Sequence, residues 1–442
     1  MDYREAREFY KERAGRGSVM GLDSIRCLLK ECGNPQEDLT FIHIAGTNGK
    51  GSVSAFLSSI LKEAGIRTGT YTSPAVVSEL ERYQTDGIWI GEQEFADLTG
   101  ALKEAAGRME ARGQGSPTVF ELETALALMY FREKDCGLVV LETGLGGAED
   151  ATNVVERTAA AVFTSISRDH MGILGDTLSE IAVCKAGIME PGCAVLSADQ
   201  EPEVWEVLRA RAGELGCPAL QIDRGEILGE EAGIRDFGSV LKGERFSYKG
   251  FKNLEISLRG PYQMENGALA LETALALRKQ GYDIPDRAIC AGLKKASWPG
   301  RFEILMERPL LIVDGAHNRD AALRLRQCVT THLMGKRLIF IMGVFRDKEY
   351  SQICSIMAPL ADVIYTVGLP DRGRSLPPKD LAVEAGRYGA EAWAADSVKG
   401  ALDMAFGRAG EEDAILAFGS LSYLGLVMRE AERRRQESGR QG

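Results

Sequence analysis

The chain has 442 residues, of which 45% are hydrophobic and 26% are charged, the composition of an ordinary globular protein. This length exceeds a single typical core, so we expect two or three domains. The 53 basic residues are outnumbered by 64 acidic ones, and the net charge of −11 disfavours nucleic-acid binding, which relies on basic surface. A local loop can still bind an anionic nucleotide.

The cysteines and the N-terminal segment predict a cytoplasmic protein. Nine cysteines lie between Cys27 and Cys354 without a CxxC pair or metal-finger spacing, a pattern typical of reduced thiols. The first residues are charged from Asp2 onward, unlike a signal peptide. No apolar run approaches the roughly 20 residues that cross a bilayer. We therefore expect neither a membrane partner nor a nucleic-acid partner.

Short β-branched runs alternate with longer helical segments, a pattern that indicates a mostly parallel α/β sheet. In chain order the pattern predicts a strand at 39–46, a helix at 52–65, strands at 137–144 and 158–167, and helices at 178–189 and 263–281. Residues from about 225 to 260 contain glycine-rich alternating pieces, which predict an antiparallel excursion at the edge of this first domain.

The segment SWPGR places a Pro-Gly break before a second α/β series. Its strands are predicted at 309–318, 336–345, 361–368 and 413–420. We therefore predict an N-terminal domain over 1–296, a linker over 297–301 and a smaller, Rossmann-like C-terminal α/β domain over 302–442.

A glycine-rich loop, GTNGKGS, lies between the first predicted strand and helix, where backbone N–H groups and a helix N-terminus can cradle phosphates. Lys50 is expected to reach the outer phosphates, and the Ser52 hydroxyl to bind Mg²⁺. The strict G-x-x-x-x-G-K-[ST] pattern is not met, because Ile44 replaces its first glycine and Gly51 follows the lysine. A turn that only caps a helix is the alternative, but the order of elements favours ATP or GTP binding. The predicted nucleotide loop is Gly46, Thr47, Asn48, Gly49, Lys50, Gly51 and Ser52.

The segment IAGTNGKGS resembles the phosphate loop of the folylpolyglutamate synthase and dihydrofolate synthase family, within the Mur ligase superfamily. Similar blocks follow in family order: TSP at 72–74, TVFE at 118–121, ETGLGGAEDATN at 142–153, DHMGILG at 169–175, PYQMENGALA at 261–270, WPGRFE at 298–303, DGAHN at 314–318 and FGSLSYLG at 418–425. The resemblance implies a P-loop-type ATPase domain, a C-terminal domain and an active site in the cleft between them. It further implies that ATP phosphorylates a substrate carboxylate, and that L-glutamate attacks the acyl phosphate to give an amide, ADP and phosphate.

The resemblance also implies a metal and lysine set. Ser52 and Glu142 would hold the nucleotide Mg²⁺, and Ser73, Glu142 and His170 a second Mg²⁺ near the carboxylate to be activated. Lys185, among apolar neighbours, would be carbamylated; a lysine whose stem packs while its head reaches water is the alternative. The implied catalytic residues are Lys50, Glu142, His170 and Lys185.

Further roles follow from the resemblance. Asn266 and Arg301 would contact ATP, and Asp314 would bind the ribose or stabilise the linker. The implied contacts to glutamate and folate are Ser73, Pro74, Asp314, His317 and Ser420. The two remaining histidines are interpreted structurally, His43 as a core residue and His332 as a surface or cap residue.

Two positions depart from the commonest family pattern. Ala75 and Val76 follow TSP where many members have His-Leu, and Ala148 and Glu149 replace Arg-Leu in the glycine block. Both border the expected pterin and metal region, so glutamate extension of a folate is favoured over use of dihydropteroate. The leading hypothesis is a folylpolyglutamate synthase, and a bifunctional enzyme that also makes dihydrofolate is the alternative.

A muramyl-type amino-acid ligase and a non-catalytic nucleotide or folate sensor are more distant alternatives. The sequence leaves open whether glutamate is joined through the γ or the α carboxyl group. The resemblance leads us to expect a monomer.

Overall fold

The computed structural model describes residues 1–14, 21–169, 172–229 and 243–438. His170 therefore lies outside the described residues. Within these ranges, every helix is too short or too polar to traverse a bilayer.

The helices and strands follow one another in the alternation that the sequence predicts. The α-helices are α1 (Tyr3–Arg13), α2 (Asp23–Glu31), α3 (Lys50–Glu63), α4 (Glu92–Ala111), α5 (Val119–Glu133), α6 (Leu178–Ala186), α7 (Pro202–Glu214), α8 (Tyr262–Lys279), α9 (Asp286–Lys295), α10 (Arg319–His332), α11 (Tyr350–Met357), α12 (Pro378–Gly386), α13 (Val398–Arg408) and α14 (Leu421–Ser438). The strands are β1 (Phe41–Ala45), β2 (Thr68–Tyr71), β3 (Tyr83–Thr85), β4 (Ile88–Trp89), β5 (Leu138–Glu142), β6 (Thr158–Phe163), β7 (Ala194–Ser197), β8 (Ala219–Gln221), β9 (Ile227–Gly229), β10 (Glu244–Tyr248), β11 (Phe251–Ile256), β12 (Glu303–Glu307), β13 (Leu310–Val313), β14 (Leu338–Met342), β15 (Val363–Thr366), β16 (Glu391–Ala394) and β17 (Ala414–Phe418).

The first sheet has the strand order β4-β3-β2-β5-β1-β6-β7-β8. Strands β2 to β8 of this order run parallel, and β3 and β4 add an antiparallel edge. Helices cover both faces, because Phe41 of β1 packs with α1, α2, α4 and α5, whereas Ile42 and Ile44 pack with α3, α8 and α9. Burial on both faces explains why the strand sequence is continuously apolar rather than alternating.

The second sheet has the order β12-β13-β17-β14-β15-β16, parallel except for β12. Ile312 and Phe340 face a core shared with α10, α11 and α12, whereas Leu311 and Ile339 face α13 and α14. The structure is therefore a two-domain α/β protein with mostly parallel sheets, as predicted.

The strands predicted at 39–46, 137–144, 158–167, 309–318, 336–345, 361–368 and 413–420 are confirmed as β1, β5, β6, β13, β14, β15 and β17. The predicted antiparallel excursion is confirmed by β9, β10 and β11, although these strands form a separate sheet, and residues 230–242 of the segment lie outside the described residues. The strand β12 begins at Glu303, just past the predicted linker. The limits 1–296, 297–301 and 302–442 stay a prediction.

The prediction for His332 is wrong, because this last residue of α10 is buried between the two halves of the chain. Its Nε2 atom lies 2.8 Å from Glu244 Oε1 in β10, and the two side chains are only 1% and 2% exposed. The same carboxylate oxygen accepts a hydrogen bond of 2.9 Å from the Gly260 N–H. The His332 ring also packs on Phe302, with ring centroids 5.7 Å apart. The C-terminal half is thus joined to the antiparallel sheet by a buried polar pair.

This pair predicts a large loss of stability in a His332→Ala variant. Removing one partner of a buried ionisable pair typically costs about 3–5 kcal/mol, because the other is left without compensation in a desolvated site. We expect such a decrease in the free energy of unfolding measured with urea. Thr330→Ala, at an exposed position of the same helix, is the control and should change it by less than about 0.5 kcal/mol. Equal losses in the two variants would contradict the proposed role of the pair.

Candidate active site

A cleft lies where the carboxyl ends of strands from both parallel sheets meet, the usual position of ligand sites in such sheets. The loops that follow β1, β2 and β5 line one side, and the turn after β13 and the start of α10 line the other. The sequence-predicted residues that line this cleft are Gly46, Thr47, Asn48, Gly49, Lys50, Gly51, Ser52, Ser73, Pro74, Glu142, Lys185, Arg301, Asp314 and His317. Asn266 and Ser420 are not among the described residues that line it.

The phosphate loop joins β1 to α3, as predicted, and two of its glycines adopt positive φ angles of 155° at Gly46 and 99° at Gly49. A Cβ atom at Gly46 would lie 1.9 Å from the Thr164 hydroxyl oxygen, and one at Gly49 would lie 2.8 Å from Asn266 Oδ1. Glycine is therefore needed both for the backbone conformation and for the close approach of neighbouring side chains. Asn266 lies behind the loop rather than in the cleft.

Two lysines donate hydrogen bonds to one carbonyl oxygen of this loop. Lys50 Nζ is 3.2 Å from the Gly46 oxygen, and Lys185 Nζ is 3.0 Å from it. Lys185 is buried, so its ammonium group lies inside the protein and not in bulk water. Burial, aided by the positive charge of Lys50, lowers the pKa of Lys185 to about 7. A substantial fraction of this amine is therefore neutral near physiological pH.

Glu142, the last residue of β5, places a buried carboxyl group near Lys50. Its Oε1 atom is 4.0 Å from Lys50 Nζ, and its Oε2 atom accepts a hydrogen bond of 3.4 Å from the Ser73 N–H. Burial raises the pKa of Glu142 to about 7, although Lys50 and Arg301 act in the opposite direction. A desolvated carboxylate at the rim of a phosphate loop is suited to binding a cation.

Mg²⁺ prefers oxygen ligands and commonly takes only one or two carboxylates together with the phosphates of its substrate. Glu142 and the hydroxyl groups of Ser52 and Ser73 are oxygen donors of this kind, so the residues present fit a nucleotide-bound Mg²⁺. No group of three or more His, Cys, Asp or Glu side chains with metal-binding geometry occurs within the described ranges.

Two residues that support the phosphate loop were not identified from the sequence. Gln263 donates a hydrogen bond of 3.2 Å to the Ser52 hydroxyl and accepts one of 2.9 Å from Asn266 Nδ2. Trp298, in the predicted linker, packs on the first turn of α3, where a Cβ atom at Gly51 would lie 2.6 Å from the indole nitrogen. Both residues belong to segments that resemble family blocks, but their contacts depend on tertiary structure.

On the opposite side of the cleft, Asp314 stabilises the end of the linker. Its two carboxylate oxygens accept hydrogen bonds of 2.9 Å from the Phe302 N–H and 2.8 Å from the Ala316 N–H. Phe302 has a positive φ angle of 43°, a conformation that is unfavourable for a bulky residue and is held here by this bond. Burial raises the pKa of Asp314, whereas Arg301 lowers it. Of the two roles predicted for Asp314, ribose binding and stabilisation of the linker, these contacts favour stabilisation of the linker.

His317 lies in the cleft with a defined tautomer. Its Nδ1 atom is 2.7 Å from the Gly315 carbonyl oxygen, which can only accept, so Nδ1 carries the proton. Burial and the nearby Lys348 lower the pKa of His317 to about 4, and the ring is therefore neutral with Nε2 as an acceptor. Lys348 follows β14 and was not identified from the sequence; its ammonium group is 3.1 Å from Asp169 of the first domain.

The remaining predicted residues occupy different positions. Ser420 is buried and hydrogen-bonded to Ser422 with an Oγ–Oγ distance of 2.9 Å, and it is Leu421 that lines the cleft. His43 is fully buried in β1, with Nε2 2.9 Å from the Thr152 hydroxyl oxygen. The prediction that His43 is a core residue is therefore confirmed.

Two sequence profiles match the two halves of this architecture. The profile described as Mur ligase middle domain matches residues 44–274, and that described as Mur ligase, glutamate ligase domain matches residues 300–421. The dihydrofolate synthase/folylpolyglutamate synthase of Bacillus subtilis is 34% identical over 429 residues, which cover 96% of this chain and 97% of that protein. The chain belongs to the folylpolyglutamate and dihydrofolate synthase family of Mur ligases.

Solved structures of this family share the fold. Mycobacterium tuberculosis folylpolyglutamate synthase, complexed with ADP and AMPPCP, has a TM-score of 0.86 and 27% identity, with 97% of this chain and 98% of that chain covered. E. coli FolC in complex with DHPP and ADP has a TM-score of 0.85 and 29% identity, with coverage of 98% and 99%. The predicted family and fold class are thereby confirmed.

The two departures from the family pattern lie beside the cleft. Neither Ala75 nor Ala148 is among the described residues that line it. Ala148 packs against α6, because its N–H donates to the Cys184 carbonyl at 2.9 Å and a Cβ atom at Gly187 would lie 2.4 Å from its methyl group.

The buried carboxylate of Glu142 predicts a pH-dependent stability. Its pKa is raised from 4.5 to about 7 in the folded state, so the folded protein binds the proton more tightly and loses stability as the pH rises through this window. A Glu142→Gln variant lacks this dependence. The variant should therefore gain stability relative to the natural protein between pH 4.5 and 7, by on the order of 2–3 kcal/mol.

The measurement is urea unfolding of both proteins across this pH range. The contributions of the other carboxylates cancel in the difference between the two free energies of unfolding. Glu149→Gln, the same change at an exposed position in the same glycine block, is the matched control. The interpretation of Glu142 fails if the two variants show the same pH dependence.

Proposed function

We propose that this chain is an ATP-dependent ligase that joins L-glutamate to the carboxyl group of a folate through an acyl phosphate, with release of ADP and phosphate. One observation carries the proposal: the phosphate loop with Lys50 and Glu142 faces the turn with His317 across a single cleft. Such a ligase must hold a nucleotide, a carboxylate and an amine together, and this cleft has cationic groups from both domains. The names of the family relatives agree with this reaction.

In the proposed first step, a carboxylate oxygen of the folate attacks the γ-phosphorus of ATP, and the bond from that phosphorus to the β–γ bridging oxygen breaks. Lys50 and Arg301, both in the cleft, would stabilise negative charge on the transferred group. Ser52 and Glu142 would hold a nucleotide Mg²⁺, and Ser73, Glu142 and His170 a second ion. Bound Mg²⁺ would supply charge neutralisation on the phosphates.

In the proposed second step, the glutamate amine attacks the acyl carbon, phosphate leaves and the nitrogen loses a proton as the amide forms. His317 is suited to this side of the cleft, because its neutral ring offers Nε2 as a proton acceptor. Lys348, from the segment after β14, pairs with the carboxylate of Asp169 of the first domain. Ser420 has a weaker claim, because it lies behind Leu421.

A bifunctional enzyme that also joins glutamate to dihydropteroate is the second candidate. The B. subtilis relative carries both activities in its name, and the E. coli structure was solved in complex with DHPP. The muramyl ligase and sensor alternatives have less support, because the relatives that cover most of this chain are named as folate synthases. The monomeric state and the cytoplasmic location stay predictions, and the choice between a γ and an α linkage stays open.

The ligase proposal predicts that the purified protein, with ATP and Mg²⁺, incorporates radiolabelled glutamate into tetrahydrofolate or 5,10-methylenetetrahydrofolate, with ADP formed in equal amount. Label in dihydropteroate as well would establish the bifunctional alternative. Lys50→Ala should lower kcat by at least about 100-fold, since a charge contact to the transferred phosphoryl group is lost. Lys62→Ala, at an exposed position of α3, is the control. Failure of every acceptor to take up label, while ATP still binds, would refute the ligase proposal.

We further propose that Lys185 is carbamylated in the active enzyme. Two ammonium groups at one carbonyl oxygen repel each other, so a neutral or anionic Lys185 is favoured. In the reaction, the unprotonated amine attacks CO₂, a C–N bond forms as one C–O π bond opens, and one proton is released, so that a neutral amine becomes an anion beside Lys50. The pKa of about 7 supplies the required neutral amine.

The carbamate predicts a carbon-13 NMR signal from the protein in ¹³C-bicarbonate, which grows as the pH rises through about 7 because the neutral amine is the reactive form. Lys185→Arg keeps a cation but cannot form the adduct, and its spectrum should lack the signal. A signal of equal intensity in Lys185→Arg would exclude Lys185 as the modified residue.

A further inference from the structure

Two asparagine side chains bridge the domains at the phosphate loop. Asn48, within the loop, and Asn318, the residue before α10, form a reciprocal amide pair, with Asn318 Nδ2 3.2 Å from Asn48 Oδ1 and Asn48 Nδ2 3.4 Å from Asn318 Oδ1. We refer to these two residues as the amide bridge. Asn318 is 4% exposed, so the bridge lies in a largely desolvated part of the interface.

Carboxylates on both sides strengthen the amide bridge. Asn48 Nδ2 also donates to Asp320 Oδ2 at 2.8 Å, and Asn318 Nδ2 donates to Asp169 Oδ2 at 3.2 Å. Hydrogen bonds to a charged acceptor are roughly twice as strong as those between neutral groups. Each NH₂ group therefore donates to the other asparagine and to a carboxylate of the opposite domain, so both domains contribute an acceptor.

A further hydrogen bond fixes the orientation of the Asn318 side chain. Its Oδ1 atom accepts a hydrogen bond of 2.8 Å from the Ala321 N–H and so caps the N-terminus of α10. The NH₂ group must then face Asn48 and Asp169. Because α10 follows directly after His317, a shift of this cap would move the turn that holds His317.

Further hydrogen bonds hold Asp169 and the phosphate loop, the N-terminal partners of Asn318, in place. The other carboxylate oxygen of Asp169 accepts a hydrogen bond of 3.1 Å from Lys348. Within the phosphate loop, the Thr47 hydroxyl donates a hydrogen bond of 3.0 Å to the Ser167 carbonyl oxygen. The bridge thus links the loop that would hold ATP to the two C-terminal segments that carry His317 and Lys348.

We propose that Asn318 is a positioning residue that holds the C-terminal domain against the phosphate loop and thereby sets the separation between the activated carboxyl group and the glutamate amine. The proposal rests on the proposed ligase function. A misplacement of about 1 Å between reacting groups can cost about 100-fold in rate, so a contact of this kind can act without touching any substrate.

Asn318→Asp separates the bridging role from the capping role. Aspartate is as good an N-cap as asparagine, so α10 should stay intact. The substitution removes the donor NH₂ group and places a carboxylate against Asp169 and Asn48 Oδ1, which opposes docking of the domain. Asn318→Ser keeps a capping hydroxyl and removes the donor without adding charge, so it should have a smaller effect. Asn253→Asp, the same change at an exposed residue of β11, is the control.

For Asn318→Asp we expect kcat/KM for glutamate to fall by about 5- to 150-fold, the usual range of coupling between two sites, with Asn318→Ser intermediate. The dissociation constant of the ATP analogue AMPPCP and the melting temperature should match those of Asn253→Asp. Small-angle X-ray scattering with AMPPCP should show a larger radius of gyration for Asn318→Asp than for the natural protein.

Unchanged kcat/KM for glutamate in Asn318→Asp would overturn the proposal. A loss of AMPPCP affinity in proportion to the loss of activity would also overturn it, because Asn318 would then act on the nucleotide and not on domain placement. If the natural protein incorporates no glutamate, the ligase function itself fails, whereas the scattering comparison still decides whether the bridge holds the domains together.

Discussion

The carbonyl oxygen of Gly46 organises the charge around the phosphate loop. It accepts from both Lys50 and Lys185, and the buried side chain of Glu142 lies 4.0 Å from Lys50. The shifted pKa values of Lys185 and Glu142 arise from the same desolvated surroundings. Loop geometry, cation binding and the state of Lys185 are therefore physically coupled, and a change in one charge alters the others.

Among the residues that the structure describes, polar contacts join the two domains at the antiparallel sheet and at the phosphate loop. His332 and Glu244 form an almost fully buried pair near the linker, where the His332 ring packs on Phe302. Asn48, Asn318, Asp169 and Lys348 form another network at the phosphate loop, which is largely shielded from solvent. The C-terminal half is thus held against the first domain both at the antiparallel sheet and at the phosphate loop.

Much of this fold could be predicted from the sequence, because β1, β5 and β14 are continuous apolar runs and the glycines after β1 mark a phosphate loop. Strand β2 was not predicted, because it contains Gly69. A Cβ atom at this position would lie 2.7 Å from the Phe131 ring, so glycine is needed for the packing of that ring. Strand β16 was missed because it is a largely exposed edge strand without an apolar pattern. Whether such short segments form strands depends on the strands and helices that they contact and not on their own residue pattern.

A site residue could be predicted where its role follows from the residues next to it in the sequence, as for Lys50. It could not be predicted where its role depends on a partner far away in the sequence. Lys348, Gln263 and Asn318 act through partners far away in the sequence, so no local pattern identifies them. His332 was misinterpreted for the same reason, because its partner belongs to the other half of the chain.

The packing of Trp298 on Gly51 has an evolutionary consequence. A side chain at position 51 would collide with the indole ring, so the catalytic loop can acquire one only if the linker residue becomes smaller at the same time. The two positions are expected to change together over the history of the family. A lineage whose phosphate loop gains a side chain at position 51 must therefore also carry a smaller residue at position 298.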